Sequence, residues 1–430
     1  MGASAMRALY TALLFLTLPL ALLRLGWRSL RAPASRQRWA ERLGRIPEPP
    51  ASGGIWVHAV SVGEVQAIAP LIRHLLSAHP QLPLCITTTT PTGSERVRRL
   101  FADDVFHVYC PYDLPFALRG FLDRVRPQLT IMVETEIWPN LLAACARRGI
   151  PTLLANGRLS EASARGYARL GRFSRATFGQ IAAVAAQAPA DAERFIALGV
   201  APDRVRVTGS IKFDAQVPAS VAEQAQVLRR SWGVHRPVWV AASTHEGEEE
   251  QVLEAHAQLL RTVPDALLVL VPRHPERFER VAGLVRKRGF RMVRRSAAVV
   301  CGRDVKLLLG DTMGELVTFI GAADAAFIGG SLVPVGGHNM LEAAAQGVPV
   351  VIGPHLFNFA AVSRLLLEQG AAVQVEDAAA LGGLLAGWLT DAAVRARVGQ
   401  AGRRVVEGNR GALPALIAMV EALLDAGEPP

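Results

Sequence analysis

The sequence predicts an α/β protein: two Rossmann-like, parallel-sheet domains facing a central cleft, behind an N-terminal membrane-anchor helix. Three observations carry this. Short apolar runs alternate with helix-length amphipathic segments from Ser52 onward, the pattern of a sheet covered on both faces. A polar stretch with Pro218 then separates that series from a second series of the same kind. Ahead of both lies an uncharged segment, Ala8 to Leu23. With 430 residues, 50% hydrophobic and 20% charged, the chain has material for two ordinary cores.

In the first series the expected strands are Ile55–Val60, Leu84–Thr88, Val105–Tyr109, Leu129–Val133, Thr152–Ala155, Ile181–Ala186 and Val205–Val207. Ile55 to Glu64 organises it: a buried strand, a turn marked by Gly63, then a helix carrying Glu64 in its first turn. The dipole and free N–H groups of a helix start favour an anion, so Glu64 is expected to be ionised, either as a plain cap or as a general base. Polar motifs follow the other strands: Thr87 to Gly93, Glu134 to Asn140 and Asn156 to Ser160. Repeated polar residues at the carboxyl edge of a parallel sheet describe a ligand cleft.

Ala215 to Gln224 reads as the connection to a second half with strands at Val238–Ser243, Ala266–Val271, Val305–Leu309, Ala325–Ile328 and Pro349–Ile352. The domains are therefore residues 1–46, an anchor and basic arm; 47–215; and 216–430, whose last helix, about Ala412–Leu424, could pack back across the junction. Strand ends in the second half carry phosphate-friendly chemistry. Gly329-Gly330-Ser331 and Gly336-Gly337 precede a helix running to about Gln346, and Glu342 in its first turn suits a ribose diol. Val271 to Pro275 supplies a guanidinium, and Gly310 to Glu315 opens another helix.

Lys and Arg exceed Asp and Glu by 47 to 37, a net charge of +10, so the company is acidic: nucleic acid, anionic lipid or a phosphorylated substrate. Only Lys212, Lys287 and Lys306 are lysines, and among so many arginines Lys212 is read as marking a place that needs a compact, movable ammonium. The four cysteines are scattered and read as reduced structural thiols. Ala8 to Leu23 is near the lower limit of about 17 residues for a spanning helix. It is followed by Arg24, Arg28, Arg31, Arg36, Arg38, Arg42 and Arg45, which the positive-inside rule keeps cytoplasmic at an anionic membrane surface. A cleaved signal peptide and an amphipathic structural arm are the competing readings.

Ser61-Val62-Gly63-Glu64, Glu134 to Asn140, Thr244-His245-Glu246-Gly247-Glu248-Glu249, Val271 to Phe278, Gly310 to Leu316, and Gly336 to Asn339 with Leu341 to Ala344 together resemble the bacterial 3-deoxy-D-manno-octulosonic acid (Kdo) transferase family, over almost the whole chain. The resemblance implies a glycosyltransferase B fold, CMP-Kdo as donor and a tetraacylated lipid A precursor as acceptor, at the cytoplasmic side of the bacterial inner membrane. It implies Glu64 as proton acceptor, Glu134 and Lys212 as transition-state support, and Pro272, Arg273, Met313, Gly314, Glu315, Asn339 and Glu342 as the CMP-binding set. Neither a metal, a further cofactor nor nucleic acid is expected. His58, His245, His274 and His338 stand in separate loops without a ligand spacing. The rival functions are a nucleotide-sugar epimerase or hydrolase of the same fold and a membrane-tethered binder without catalysis.

Overall fold

The computed structural model describes residues 2–31, 38–214, 217–297, 299 and 301–426. Two compact units emerge, Met1–Asp214 with Arg410–Pro430, and Ala215–Asn409. In the first unit β1 (Ile55–His58), β2 (Leu84–Thr88), β3 (Phe106–Tyr109), β4 (Leu129–Val133), β5 (Thr152–Gly157), β6 (Ala183–Ala186) and β7 (Val205–Val207) form one sheet. Its order is β3-β2-β1-β4-β5-β6-β7. Every described pairing is parallel. Alternate side chains feed opposite faces: Trp56, Met132 and Leu154 pack in one cluster, and Val57, Ile131 and Leu153 in the other. Strand β1 stops at His58, short of the expected Val60, because the Val60 N–H turns to the Glu64 carboxylate at 2.7 Å.

The second unit repeats the plan with β8 (Val238–Thr244), β9 (Leu267–Pro272), β10 (Met292–Arg294), β11 (Leu307–Leu309), β12 (Ala325–Ile328), β13 (Val350–Ile352) and β14 (Ala372–Gln374), in the order β10-β11-β9-β8-β12-β13-β14. The edge strands β10 and β14 had no counterpart in the sequence reading; each has three residues and is only partly buried, so neither leaves an apolar run.

The expected linker is shorter than read. A helix begins at Ala219, directly after Pro218, and runs to Trp232. It buries Ala225, Leu228 and Trp232 along one face, the last stacked on Phe319. The polar residues Glu223, Gln224 and Gln226 mask that stripe in the sequence.

The chain ends fold into the first unit. Helix Ala412–Asp425 places Ala412, Leu416, Val420 and Leu424 in its core, and the Asp214 carboxylate accepts the Gly411 and Leu413 N–H groups at 2.7 Å each. Residues 38–46, which the sequence reading grouped with the arm, are also bound in: Glu41 accepts the Tyr109 N–H at 2.7 Å, Arg42 lies 4.3 Å over the Tyr109 ring and Ile46 is buried. Helix Ala3–Arg31 is long and apolar enough to cross a membrane by length and composition. It nevertheless touches the unit: the Tyr10 hydroxyl donates to Asp113 at 2.9 Å and Thr11 bonds Asn140, while Leu13, Leu16, Leu20 and Leu23 are exposed. Arg36 and the side chains of Arg24, Arg28 and Arg31 lie outside the described residues.

Candidate active site

In a doubly wound sheet, ligands gather beyond the carboxyl ends of the two strands where the strand order reverses. In the first unit those strands are β1 and β4. Glu64 follows one and Glu134 the other.

Ser61 caps helix Val62–Ala78, its hydroxyl accepting the Glu64 N–H and donating back to the Glu64 carboxylate at 2.9 Å. Glu64 thus braces the Ser61 cap, resembling a capping box but accepting the Val60 N–H in place of the Ser61 N–H, and its carboxylate is half-buried at the strand end. The helix start alone does not keep it fully ionised. Burial pushes its pKa up to about 7; the bonds from Val60 and Ser61 pull it down, and the nearby charges of Glu134 and Glu136 push it up again. Desolvation outweighs the helix terminus.

Glu134 has a left-handed backbone, φ 62°, uncommon for a non-glycine residue and frequent at functional sites. Its carboxylate pairs with Lys212 Nζ at 2.9 Å. Lys212 sits in the 3-10 turn Ile211–Asp214, which Asn156, also left-handed at φ 55°, fixes by accepting the Ile211 N–H at 3.2 Å. Glu136 accepts the Trp138 indole N–H at 2.6 Å, and Trp138 stands edge-on to His58, 5.2 Å between centroids. Burial drives His58 down to about 4, so its ring is neutral. His58 Nε2, Asn156 Nδ2 and Ser210 Oγ are buried without a partner among the described residues, and buried polar atoms left unpaired call for a local explanation such as a bound group or water. The three residues read as catalytic from the motifs, Glu64, Glu134 and Lys212, therefore share one sheet edge.

In the second unit the order reverses between β8 and β12. Here the N–H groups of Gly330 and Ser331, in the glycine loop that precedes the helix whose N-terminus is expected to receive an anion, are already taken. The fully buried Glu248 carboxylate accepts the N–H groups of Gly330 at 2.7 Å, Ser331 at 3.1 Å and Leu332 at 2.9 Å, and of His245 at 3.2 Å. Position 329 must be glycine, since a Cβ there would lie 2.6 Å from the Ser243 carbonyl oxygen and 2.8 Å from Glu248. The loop is thereby a fixed wall.

Pro272 ends β9 and Arg273 follows it, exposed, its N–H on the Thr244 carbonyl. After β11, Met313 is 60% exposed and Gly314 turns at φ 88°. Glu315 accepts Arg295 Nη2 at 2.7 Å and the Thr312 hydroxyl, and these bonds hold its carboxyl below the usual range. Asn339 Nδ2 donates to Glu342 at 3.1 Å, while burial raises the Glu342 carboxyl. Each site residue expected in this unit thus stands at a strand end or at the start of helix Leu341–Gln346. Among the described residues no group of three or more His, Cys, Asp or Glu is placed to hold a metal ion.

Residues 37–215 match the family described as 3-deoxy-D-manno-octulosonic-acid transferase (kdotransferase), and residues 239–405 match glycosyl transferases group 1. Over 422 residues the chain is 43% identical to the 3-deoxy-D-manno-octulosonic acid transferase of Haemophilus influenzae, spanning 97% of this chain and 99% of that one. The chain belongs to the Kdo transferase family. The transferase of Bordetella pertussis is 37% identical over 385 residues, 86% of this chain and 89% of its own. A glycosyltransferase structure from Rickettsia africae, 13% identical with a TM-score of 0.55, covers 87% of this chain and 99% of its own and shares the fold. This Kdo transferase is accordingly an enzyme of the glycosyltransferase B type, two parallel seven-stranded α/β domains and one apolar N-terminal helix.

Some residues of these clusters escaped the sequence reading. Asn156 and Glu248 lie within quoted motifs, but a motif does not say which member faces backbone donors. Arg295, the partner of Glu315, left no signal: it follows a three-residue edge strand and belongs to no motif.

Proposed function

We propose that this Kdo transferase moves Kdo from CMP-Kdo to a tetraacylated lipid A precursor, with Glu64 as general base. The observation that carries the reading is Glu64 itself: a carboxylate at the sheet's switch point, beside the Glu134–Lys212 pair, with a pKa of about 7. Such a group exists in both protonation states near neutral pH, as proton transfer requires. In the reaction the acceptor hydroxyl oxygen attacks the anomeric carbon of Kdo, its proton passes to Glu64, and the bond to the phosphate oxygen breaks, CMP leaving with the electron pair. The sugar ring becomes cation-like as CMP departs. The Glu134 carboxylate supports that charge, and the Lys212 ammonium neutralises phosphate or the Kdo carboxylate.

The acceptor chemistry belongs to residues 47–215 and the nucleotide to residues 216–409. There Pro272, Arg273, Met313, Gly314, Glu315, Asn339 and Glu342 hold CMP. An acceptor with four acyl chains lives in the bilayer. The enzyme works at the cytoplasmic face of the bacterial inner membrane, anchored by helix Ala3–Arg31, whose length and apolar composition support the anchor role. Incubation of the purified protein with CMP-Kdo, with and without the lipid acceptor, followed by mass spectrometry of the lipid, tests the reading. A mass increase by Kdo on the acceptor is expected; consumption of CMP-Kdo that is indifferent to acceptor would point to a hydrolase instead.

A further inference from the structure

Three imidazoles from separate loops converge in the second unit. His245 follows β8, His274 follows β9, and His338 precedes helix Leu341–Gln346. The His245 and His338 rings are nearly parallel, 11° apart with centroids at 5.0 Å, and their Nε2 atoms are 2.7 Å apart. His274 stands edge-on to His245 at 5.4 Å. We infer that His245 and His338 form an oxyanion subsite for the sugar-nucleotide donor, and that the pair takes up one proton when the anion binds. The inference rests on the reading of this unit as the donor-binding one.

A nitrogen-to-nitrogen hydrogen bond needs one donor and one acceptor, so in the neutral pair one Nε2 carries hydrogen and the other does not. One ring then presents Nδ1–H outward and the other a bare Nδ1. A single added proton goes to that bare nitrogen, giving an N–H donor at each far end of the pair, one of which meets the oxyanion, and a positive charge shared across the bond. Among the described residues no carboxylate is paired with the His245 or His338 ring. His245 faces His274, Arg273 and Arg277; His338 faces His245, Arg273 and His274. Of the acidic neighbours, Glu249 pairs with Arg277 at 2.5 Å, Glu276 lies 3.9 Å from the third imidazole, His274, and Glu248 reaches only the His245 backbone. Burial, aided by these cations, lowers both rings to about 4. An oxyanion beside the pair reverses that balance, because it favours the charged form of each imidazole it touches.

The subsite is rigid before any ligand arrives. Glu248 ties the His245 backbone to the Gly330–Leu332 loop, the Gly330 carbonyl accepts the Gly336 and Gly337 N–H groups just ahead of His338, and a Cβ added at Gly330 would lie 3.2 Å from the His338 ring. A metal ion suits the place poorly, since each Nε2 is spent on the other and two guanidiniums stand close. His274 and His338 are the immediate sequence neighbours of Arg273 and Asn339, both in the proposed CMP-binding set. The donor offers two oxyanions, the phosphate and the Kdo carboxylate.

Calorimetric titration of the full chain with CMP, in pairs of buffers differing in ionisation enthalpy, reads the proton count directly. If the phosphate is the occupant, uptake of between zero and one proton is expected at pH 6.5, smaller at pH 8 and abolished in His245→Asn. If the carboxylate is the occupant, CMP binds without uptake, but the KM for CMP-Kdo generated in situ rises from pH 6 to 8 in the parent and is flat in the variant. In both cases His338→Asn raises donor KM about ten-fold at pH 6.5 with kcat within about two-fold, as expected for a hydrogen bond to a charged group. Absence of proton linkage with CMP, together with a donor KM that the variants and pH leave unchanged, overturns the subsite. Proton-linked CMP binding in a protein that transfers no Kdo would keep the subsite and sink the proposed reaction.

Discussion

The charge state of Glu64 makes a quantitative prediction. With its pKa raised from the ordinary 4.5 to about 7, roughly a tenth of the side chain is ionised at pH 6, about half at pH 7 and about nine tenths at pH 8. A mechanism that needs the carboxylate as base must then gain close to ten-fold in kcat between pH 6 and 8. Were the helix terminus dominant, the group would be ionised throughout and the profile flat. The measurement is kcat at saturating CMP-Kdo and lipid acceptor across that range; saturation removes the opposite, histidine-linked change in donor affinity. Glu136→Gln should shift the acid limb to lower pH, because it deletes one of the two carboxylates that raise Glu64. Glu64→Gln should lose about 10²–10⁴ in kcat while CMP still binds. A flat profile with an unmoved limb in Glu136→Gln, or near-normal turnover in Glu64→Gln, would refute the reasoning and leave Glu64 as the cap of its helix.

Lys212→Ala leaves Glu134 without its ion pair and is expected to lower kcat by about 10²-fold or more, with CMP affinity by calorimetry unchanged. Glu248→Gln puts an amide N–H₂ against backbone N–H donors; a loss of about 1–3 kcal/mol should appear as a melting temperature lowered by several degrees together with weaker CMP binding. Deletion of residues 2–31, which spares the Glu41, Arg42 and Ile46 contacts of the first unit, should reduce sedimentation with vesicles containing anionic lipid and transfer to membrane-embedded acceptor. CMP affinity should hold, and an equal loss of both would contradict the anchor role.

The legible parts were those written in local spacing. The two strand-and-helix series, the Ser61 to Glu64 turn and the parallel character of each sheet follow from apolar runs and turn residues that neighbours in the chain supply, whereas the order of the strands does not. Strands β10 and β14 and the helix Ala219–Trp232 escaped notice because edge positions and a masked apolar stripe carry little periodic signal. The occupant of the Gly329-Gly330-Ser331 loop was hidden for a different reason. Glycine spacing announces exposed N–H groups but not their occupant, and Glu248, some 80 residues away in the chain, fills them.

Motif chemistry was likewise readable in one dimension: which residues are acidic, basic or small, and which follow a strand. Protonation and partnership were not. Whether Glu64 is charged depends on how much water the folded sheet removes and how near Glu134 and Glu136 come. Whether three histidines form a cluster depends on β8 and β9 being adjacent and on the Gly330 loop reaching back toward His245. Solvation and through-space charge act over a few ångströms regardless of separation along the chain, so local order is enough to specify elements, and only the packed sheets specify the electrostatics of the site.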